Sequence, residues 1–288
     1  MPTNESKVQQ YLAENPATRN AIHRILLNKP DVDGDELVDK HLAPMMDDIF
    51  EKIITEVSPD TLSKEQAALY ILELSVFARY NSDFLRRAAD TVQGACMELA
   101  HEFRRNHLEE GGERGKVAAH YTLYSGALLG DLGLLVNGHV PAPETVTLVS
   151  LHDWMVDGSS ASRICGGYYA TEGVAINETE LLRSITDRYG ELTIGKRSGE
   201  LAALDYYYSL HLDESHEAAA VEGLSVEAAH IEGIARFIRD SRSFYLDLPQ
   251  IVDGFLQILE GMARWWSDLA ARANTLPGTA AQNLIPLQ

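Results

Sequence analysis

From Ser63 onward, apolar residues recur at helical spacing: Leu69, Leu72, Val76 and Tyr80 follow one another three or four positions apart. Ser63 with Gln66 three residues on has the form of a capping box, so a long helix is predicted to open there. Asn81 or Ser82 is expected to interrupt it before Phe84 and Leu85, after which Val92, Cys96 and Leu99 carry the pattern to the Glu109–Gly112 region. Gly111-Gly112 is a stop signal, because glycine takes the backbone conformation that ends helices. A new helix is predicted from His120 to Leu135, closed by an Asn137-Gly138 turn. Pro143, in a first turn with Glu144 beside it, starts another that ends near Gly158. Further helices are predicted at about 161–188, 198–222, 225–240 and 248–272.

Two spans free of proline, Pro59 to Pro141 and Pro143 to Pro249, suit such long helices. Only Thr145–Leu151 has β-branched character, and helix is preferred there too. Neither repeats nor a low-complexity linker divide the chain. One all-α domain is therefore expected over about residues 16–273, with residues 1–15 and the tail 274–288 poorly anchored.

An apolar share of 45% over 288 residues is ample for a buried core. Twenty-four basic against 43 acidic side chains leave a net charge of −19, which argues against nucleic acid or an anionic membrane surface as partner. There is no apolar run of about 18 residues to span a bilayer, and the N-terminus lacks the layout of a signal peptide. Cys96 and Cys165 do not make a disulfide framework. A cytoplasmic enzyme with a small-molecule substrate is expected, with a homodimer left open.

Four places carry groups that could converge. Residues 206–217 read Tyr-Tyr-Tyr-Ser-Leu-His-Leu-Asp-Glu-Ser-His-Glu, and burying such groups together costs several kcal/mol, roughly, unless something satisfies them. Asp213 and His216 stand at i, i+3, so on a helix both project from one face, as in the metal sites of helix bundles. Glu109 or Glu110 closes the helix before Gly111, where a carboxylate opposes the helix dipole; a solvated helix end is the plainer account. His120 opens the next helix. Glu172 follows Gly166-Gly167-Tyr168-Tyr169-Ala170, a small and apolar face on which a carboxylate is rarely left unpaired. The other histidines are read as structural or exposed, with His101 and His230 the foremost exceptions. No nucleophile elbow, phosphate loop, dinucleotide fingerprint or zinc-type Cys/His spacing is present. Hard oxygen ligands with imidazoles suit iron or manganese better than zinc or copper.

In this order and spacing, over residues 64–270, the four places resemble the heme-oxygenase-like diiron oxidases and oxygenases, which share the fold of heme oxygenase and the TenA proteins. The resemblance implies a single-domain heme-oxygenase-like helical bundle. It implies two Fe(II) per chain held by Glu110 (Glu109 as the alternative), His120, Glu172, Asp213 and His216. O2 would be the co-substrate, and Tyr168, Tyr169 and Tyr207 pocket groups. It implies N-oxygenation, desaturation or oxidative C–C cleavage of a small, amino-acid-derived molecule of specialised metabolism. One departure stands out: the family's first histidine of the late His-x3-Asp-x2-His motif falls on Ser209, and His211 lies two residues on, about 200° around a helix. Either a π-bulge brings His211 to the metal or one iron lacks a ligand. The rivals are a metal-free TenA/PqqC-like enzyme using the same groups in acid–base chemistry, and a non-enzymatic helical ligand-binding protein. A heme-degrading reading ranks lower, since His120 lies too late in the chain for a proximal histidine and His23 is unsupported.

Overall fold

The computed structural model describes residues 32–112, 118–214 and 223–276, and among these the secondary structure is helical with no strand. The chain opens with α1 (Gly34–Leu37), a π-helical turn at Val38–Leu42 and α2 (Ala43–Val57), then a 3-10 turn at Pro59–Thr61. The longer helices follow: α3 (Lys64–Val92), α4 (Met97–Gly111), α5 (His120–Leu132), α6 (Pro143–Gly158) and α7 (Ala161–Ile194). The last are α8 (Ala202–Leu212), α9 (Val226–Arg239) and α10 (Leu248–Ala273). None of the described helices is long and apolar enough to cross a membrane. Residues 1–15 and all but the first three positions of the tail from Asn274 lie outside the described residues.

Side-chain chemistry sets the helix starts. Ser63 accepts from the Gln66 N–H at 3.2 Å while Gln66 accepts from the Ser63 N–H at 2.8 Å, a complete capping box. Ser160 caps α7 and Ser225 caps α9 in the same manner, each accepting an N–H three residues on. Contrary to expectation, α3 is not interrupted at Asn81 or Ser82. Ser82 turns outward from its helix to meet His107 of α4 at 2.9 Å, and the buried Phe84 and Leu85 keep the apolar face continuous. The break comes at Gln93–Cys96 instead, so the pattern read as one helix is an α3–α4 hairpin.

Helix α7 is the axis of the bundle and packs most extensively on α10. The two backbones touch: a Cβ on Gly166 would lie 1.8 Å from the Ile251 carbonyl oxygen, and one on Gly254 would lie 2.0 Å from that of Arg163. No side chain fits in either place, so these two glycines set the spacing of the pair. Beyond this contact Trp266 stacks on Tyr70 and meets Phe50 edge-on, tying α10 to α3 and α2. Burying aromatics of this size contributes about 1.5–3 kcal/mol each. The arrangement holds the middle of α7 rigidly against α3, α4, α8 and α9.

Candidate metal centre and its cavity

Four elements end or begin beside the middle of α7. Helix α4 stops at Gly111, where Gly112 takes φ 78° and turns the chain away. Its last turn thus delivers Glu110, and α5 opens with His120. Helix α8 brings His211 on its last turn, and α9 brings Glu227 and His230 from its first turns, Ser225 having fixed where that helix starts. With Glu172 of α7, six side chains meet in the interior. Apart from Glu110, whose side chain is 12% exposed, each is buried.

The contacts are close. His120 Nδ1 lies 3.3 Å from Glu110 Oε1 and 3.2 Å from His211 Nε2. His211 Nε2 lies 3.8 Å from Glu227 Oε1, and His230 Nδ1 lies 3.4 Å from Glu172 Oε2. One ligand atom each from Glu172, Glu227 and His230 falls within 4.8 Å of the others, close enough to share an ion. Two of the imidazoles are held from behind. The Nδ1–H of His211 donates to the Tyr207 carbonyl at 2.7 Å, leaving its Nε2 lone pair facing inward. The Nε2–H of His230 donates to Glu109 at 2.6 Å, so Nδ1 faces inward.

The electrostatics are those of crowded, mutually dependent charges. Burial alone would raise the Glu110 carboxyl, but His120, with His230 and His211 behind it, holds it well below the usual range. Burial would lower His230, yet Glu109 and Glu172 keep it protonated far above the ordinary histidine range. His120 is likewise raised against its burial by Glu110. Burial, together with the neighbouring His120, depresses His211 to about 4, and burial raises the Glu227 carboxyl. The raised His120 and His230 imidazoles and the raised Glu227 carboxyl thus hold their protons more tightly than ordinary groups of their kind, at the places a cation would take.

The donor set fits a metal. Among the described residues Glu172 Oε1 is buried without a hydrogen-bond partner, and the 3.4 Å contact at His230 Nδ1 is too poor to count as one. Both atoms are thus left as ligands are, in a set of oxygen and imidazole donors without thiolate.

Four of the residues singled out from sequence stand in this cluster: Glu110, His120, Glu172 and His211. Glu109 stands behind His230, bonded to it and to Arg105. His211 arrives without a π-bulge, because α8 is a regular α-helix whose inner face carries Tyr207 and His211 together. That helix was expected to reach residue 222 and ends at Leu212. Asp213 is consequently an exposed C-cap in extended backbone rather than half of an i, i+3 pair. His216 lies outside the described residues. The acid-and-imidazole pair at i, i+3 that does meet Glu172 is Glu227 with His230, on the following helix.

A cavity of about 100 Å³ opens from this cluster along α7. Glu110, Glu172, His211 and Glu227 line one end. Leu74, Phe77 and Ala78 of α3 and Leu182 of α7 form apolar walls, with Tyr124, Tyr207 and Glu178 between them. The Tyr207 ring leans on the His211 ring at a tilt of 46°, their centroids 4.2 Å apart. Tyr168 and Tyr169 are core residues packed on Phe103 and Phe255.

The class these features define is an all-helical protein of heme-oxygenase-like fold with a buried Glu/His cluster that could hold a metal ion. The chain belongs to the family described as Domain of Unknown Function with solved-structure structure (DUF3865), which matches residues 46–272. Among solved structures it is similar to a CADD-like protein of unknown function from Nostoc punctiforme, in two crystal structures. One has 24% identity and a TM-score of 0.64, covering 83% of this chain and 94% of that one. The other has 22% identity and a TM-score of 0.62, covering 86% and 98%. A domain of unknown function with a heme oxygenase-like fold from Shewanella denitrificans follows at 16% identity and a TM-score of 0.57, covering 82% and 92%. No curated protein matches the chain.

Proposed function

We propose that this chain is a non-heme diiron oxidase or oxygenase that uses O2 on a small, amino-acid-derived substrate. The observation that carries the reading is the composition of the cluster. Three carboxylates and three imidazoles alternate along the chain as Glu110, His120, Glu172, His211, Glu227 and His230, and all six meet in one buried place. Glu172, Glu227 and His230 would hold one iron, and Glu110, His120 and His211 the other. When bound, two Fe(II) would supply the electrons that reduce O2 while the substrate is oxidised.

The protein's own contribution is binding, orientation and proton management. Tyr207 and Glu109 fix the ring planes of His211 and His230, so neither imidazole has to reorganise as it takes up its ligand role. His230 keeps its Nε2–H on Glu109 and gives up the Nδ1 proton, and Glu227 gives up its carboxyl proton, as a cation enters. Glu172 offers an oxygen that accepts no hydrogen bond from the described residues. Leu74, Phe77 and Leu182 put hydrocarbon beside the cluster, which strengthens each electrostatic contact within it.

Anaerobic loading of the purified chain with Fe(II), followed by desalting and a colorimetric iron count, tests the reading. The expected result is two irons per chain, with binding lost when Glu172→Ala and His230→Ala are combined. Iron near zero in the natural chain, or unchanged in the double variant, overturns it. One iron per chain would instead assign a mononuclear centre to Glu172, Glu227 and His230.

A further inference from the structure

The cavity has a second polar end that the six ligands do not use. The inward stripe of α7 runs Thr171, Ala175, Glu178, Leu182, and all four line the cavity. Glu178 stands six residues beyond Glu172, a rise of about 9 Å along the helix. It is far enough to be independent of the cluster and near enough to share its cavity. Its Oε1 accepts from the Trp266 indole N–H at 2.9 Å, and that is its only hydrogen bond among the described residues. Among the described residues lining the cavity there is no Lys or Arg.

A carboxylate on an otherwise apolar wall, with one neutral donor and no counter-charge, is costly to keep ionised. Burial accordingly raises the Glu178 carboxyl to about 7, with the Trp266 N–H only partly opposing it. Trp266 is itself locked between Phe50, Tyr70 and Trp265, so the acceptor is held in a fixed place rather than free to swing into solvent. What the site lacks among the described residues is a cation: Leu74, Phe77, Ala78 and Leu182 give it hydrocarbon walls, and Asn81 and Thr179 add only neutral polar groups. An engineered cavity of about 150 Å³ takes benzene, so this one of about 100 Å³ holds a molecule of roughly four or five heavy atoms.

We propose that Glu178 binds the ammonium group of a small amine whose hydrocarbon body lies against Leu74, Phe77 and Leu182, so that the substrate is an amine without a free carboxylate. A carboxylate head would find no basic side chain among the described lining residues and would face Glu178 instead. Attached at Glu178, the amine directs its far carbons toward the Glu172 end. The inference rests on the proposed oxidase reading for the reaction, but not for binding. An amino acid that has lost its carboxyl group fits both, which places a decarboxylation before this step.

Isothermal titration of the full chain with n-butylamine, n-butanol and butyrate, under argon and both with and without Fe(II), tests it. The amine is expected to bind with Kd on the order of 1 mM, as befits five heavy atoms. Butanol and butyrate should bind at least about tenfold more weakly, a difference of about 1.4 kcal/mol. Glu178→Gln keeps the acceptor for Trp266 and should weaken the amine at least about tenfold while leaving butanol unchanged. Should that variant misfold, intermolecular NOEs in the natural chain decide: the methylene next to nitrogen should approach the Trp266 indole N–H. Equal binding of all three probes, tighter butyrate, undiminished amine binding by Glu178→Gln, or NOEs from the methyl end instead would overturn the proposal. Amine binding that survives a failed iron count would keep the Glu178 site and remove the oxidase. A sound iron count with no amine preference would do the reverse.

Discussion

Two buried glutamates show opposite ways of living in the interior. Glu73 of α3 is surrounded by donors: the Ala142 N–H at 3.1 Å, His139 Nε2 at 2.8 Å and the Thr145 hydroxyl, which in turn accepts from the Trp265 N–H at 2.8 Å. The group sits at the N-terminus of α6, where the helix dipole favours a negative charge. Glu172 of α7 is as deeply buried, yet among the described residues one oxygen has no partner and the other has only a long contact to His230. The fold completes the first carboxylate and leaves the second open. A carboxylate that joins helices needs every lone pair engaged; one that receives a ligand must keep some free.

The largest expected effect falls on the completed site. Glu73→Ala strands the Ala142 N–H and the Thr145 hydroxyl in the interior, and breaking a buried charged network of this kind costs about 3–5 kcal/mol. Urea unfolding should show that loss, while the fraction that remains folded binds iron as before. A loss below about 1 kcal/mol would mean that Glu73 is no more structural than Glu172. At the open site the balance should be inverted. Glu172→Gln keeps the volume and removes the charge. Iron affinity should fall by about 100-fold or more, equivalent to about 2.7 kcal/mol. The stability of the iron-free chain should fall by less than it does in Glu73→Ala, because His230 keeps its Glu109 partner and no donor is stranded. Equal damage to folding in both variants would erase the contrast.

Much of the fold was legible in the sequence, for reasons visible in the caps. Ser63 with Gln66, Pro143 in a first turn and the glycines at 111 and 112 act locally, so they mark helix ends wherever the helices later pack. The α3 break at Gln93–Cys96 was missed because the apolar period continues across it. The site was legible in its parts. Glu110, His120, Glu172 and His211 stood out by residue type, but the partner pair was sought at Asp213 and His216; Asp213 lies past the end of its helix, His216 lies outside the described residues, and among the described residues the pair beside Glu172 is Glu227 with His230. Which face of an amphipathic helix turns inward is a tertiary property. The usable signal was Ser225 as a cap, followed by an acid and an imidazole at i, i+3 in an apolar helix. Glu178 gave no signal, since its meaning depends on Trp266, 88 residues away.

Glu178 is intermediate between the two glutamates, with one partner and one free oxygen, and it supplies the smallest test. Its carboxyl titrates near 4.5 when unfolded and at about 7 in the fold, raised by burial against the Trp266 hydrogen bond. Among the described residues Trp266 is the one donor bonded to it, and Glu110, Glu172, Glu227, His211, Tyr124 and Tyr207 are the other titratable groups that share the cavity. The folded chain therefore binds more protons than the unfolded chain between about pH 4.5 and 7, so stability falls as pH rises through that window and levels off above it. Glutamine does not titrate and keeps the acceptor. Glu178→Gln should thus gain on the natural chain with rising pH, becoming relatively more stable at pH 8 than at pH 5. The difference should be about 1–2 kcal/mol, less than the full shift implies because the side chain is only partly buried. Thermal unfolding at the two pH values reads it directly. A gap that stays constant with pH would mean that Glu178 is as well satisfied as Glu73, and saturating n-butylamine should close any gap that opens, since an ammonium partner removes the cost of the charge.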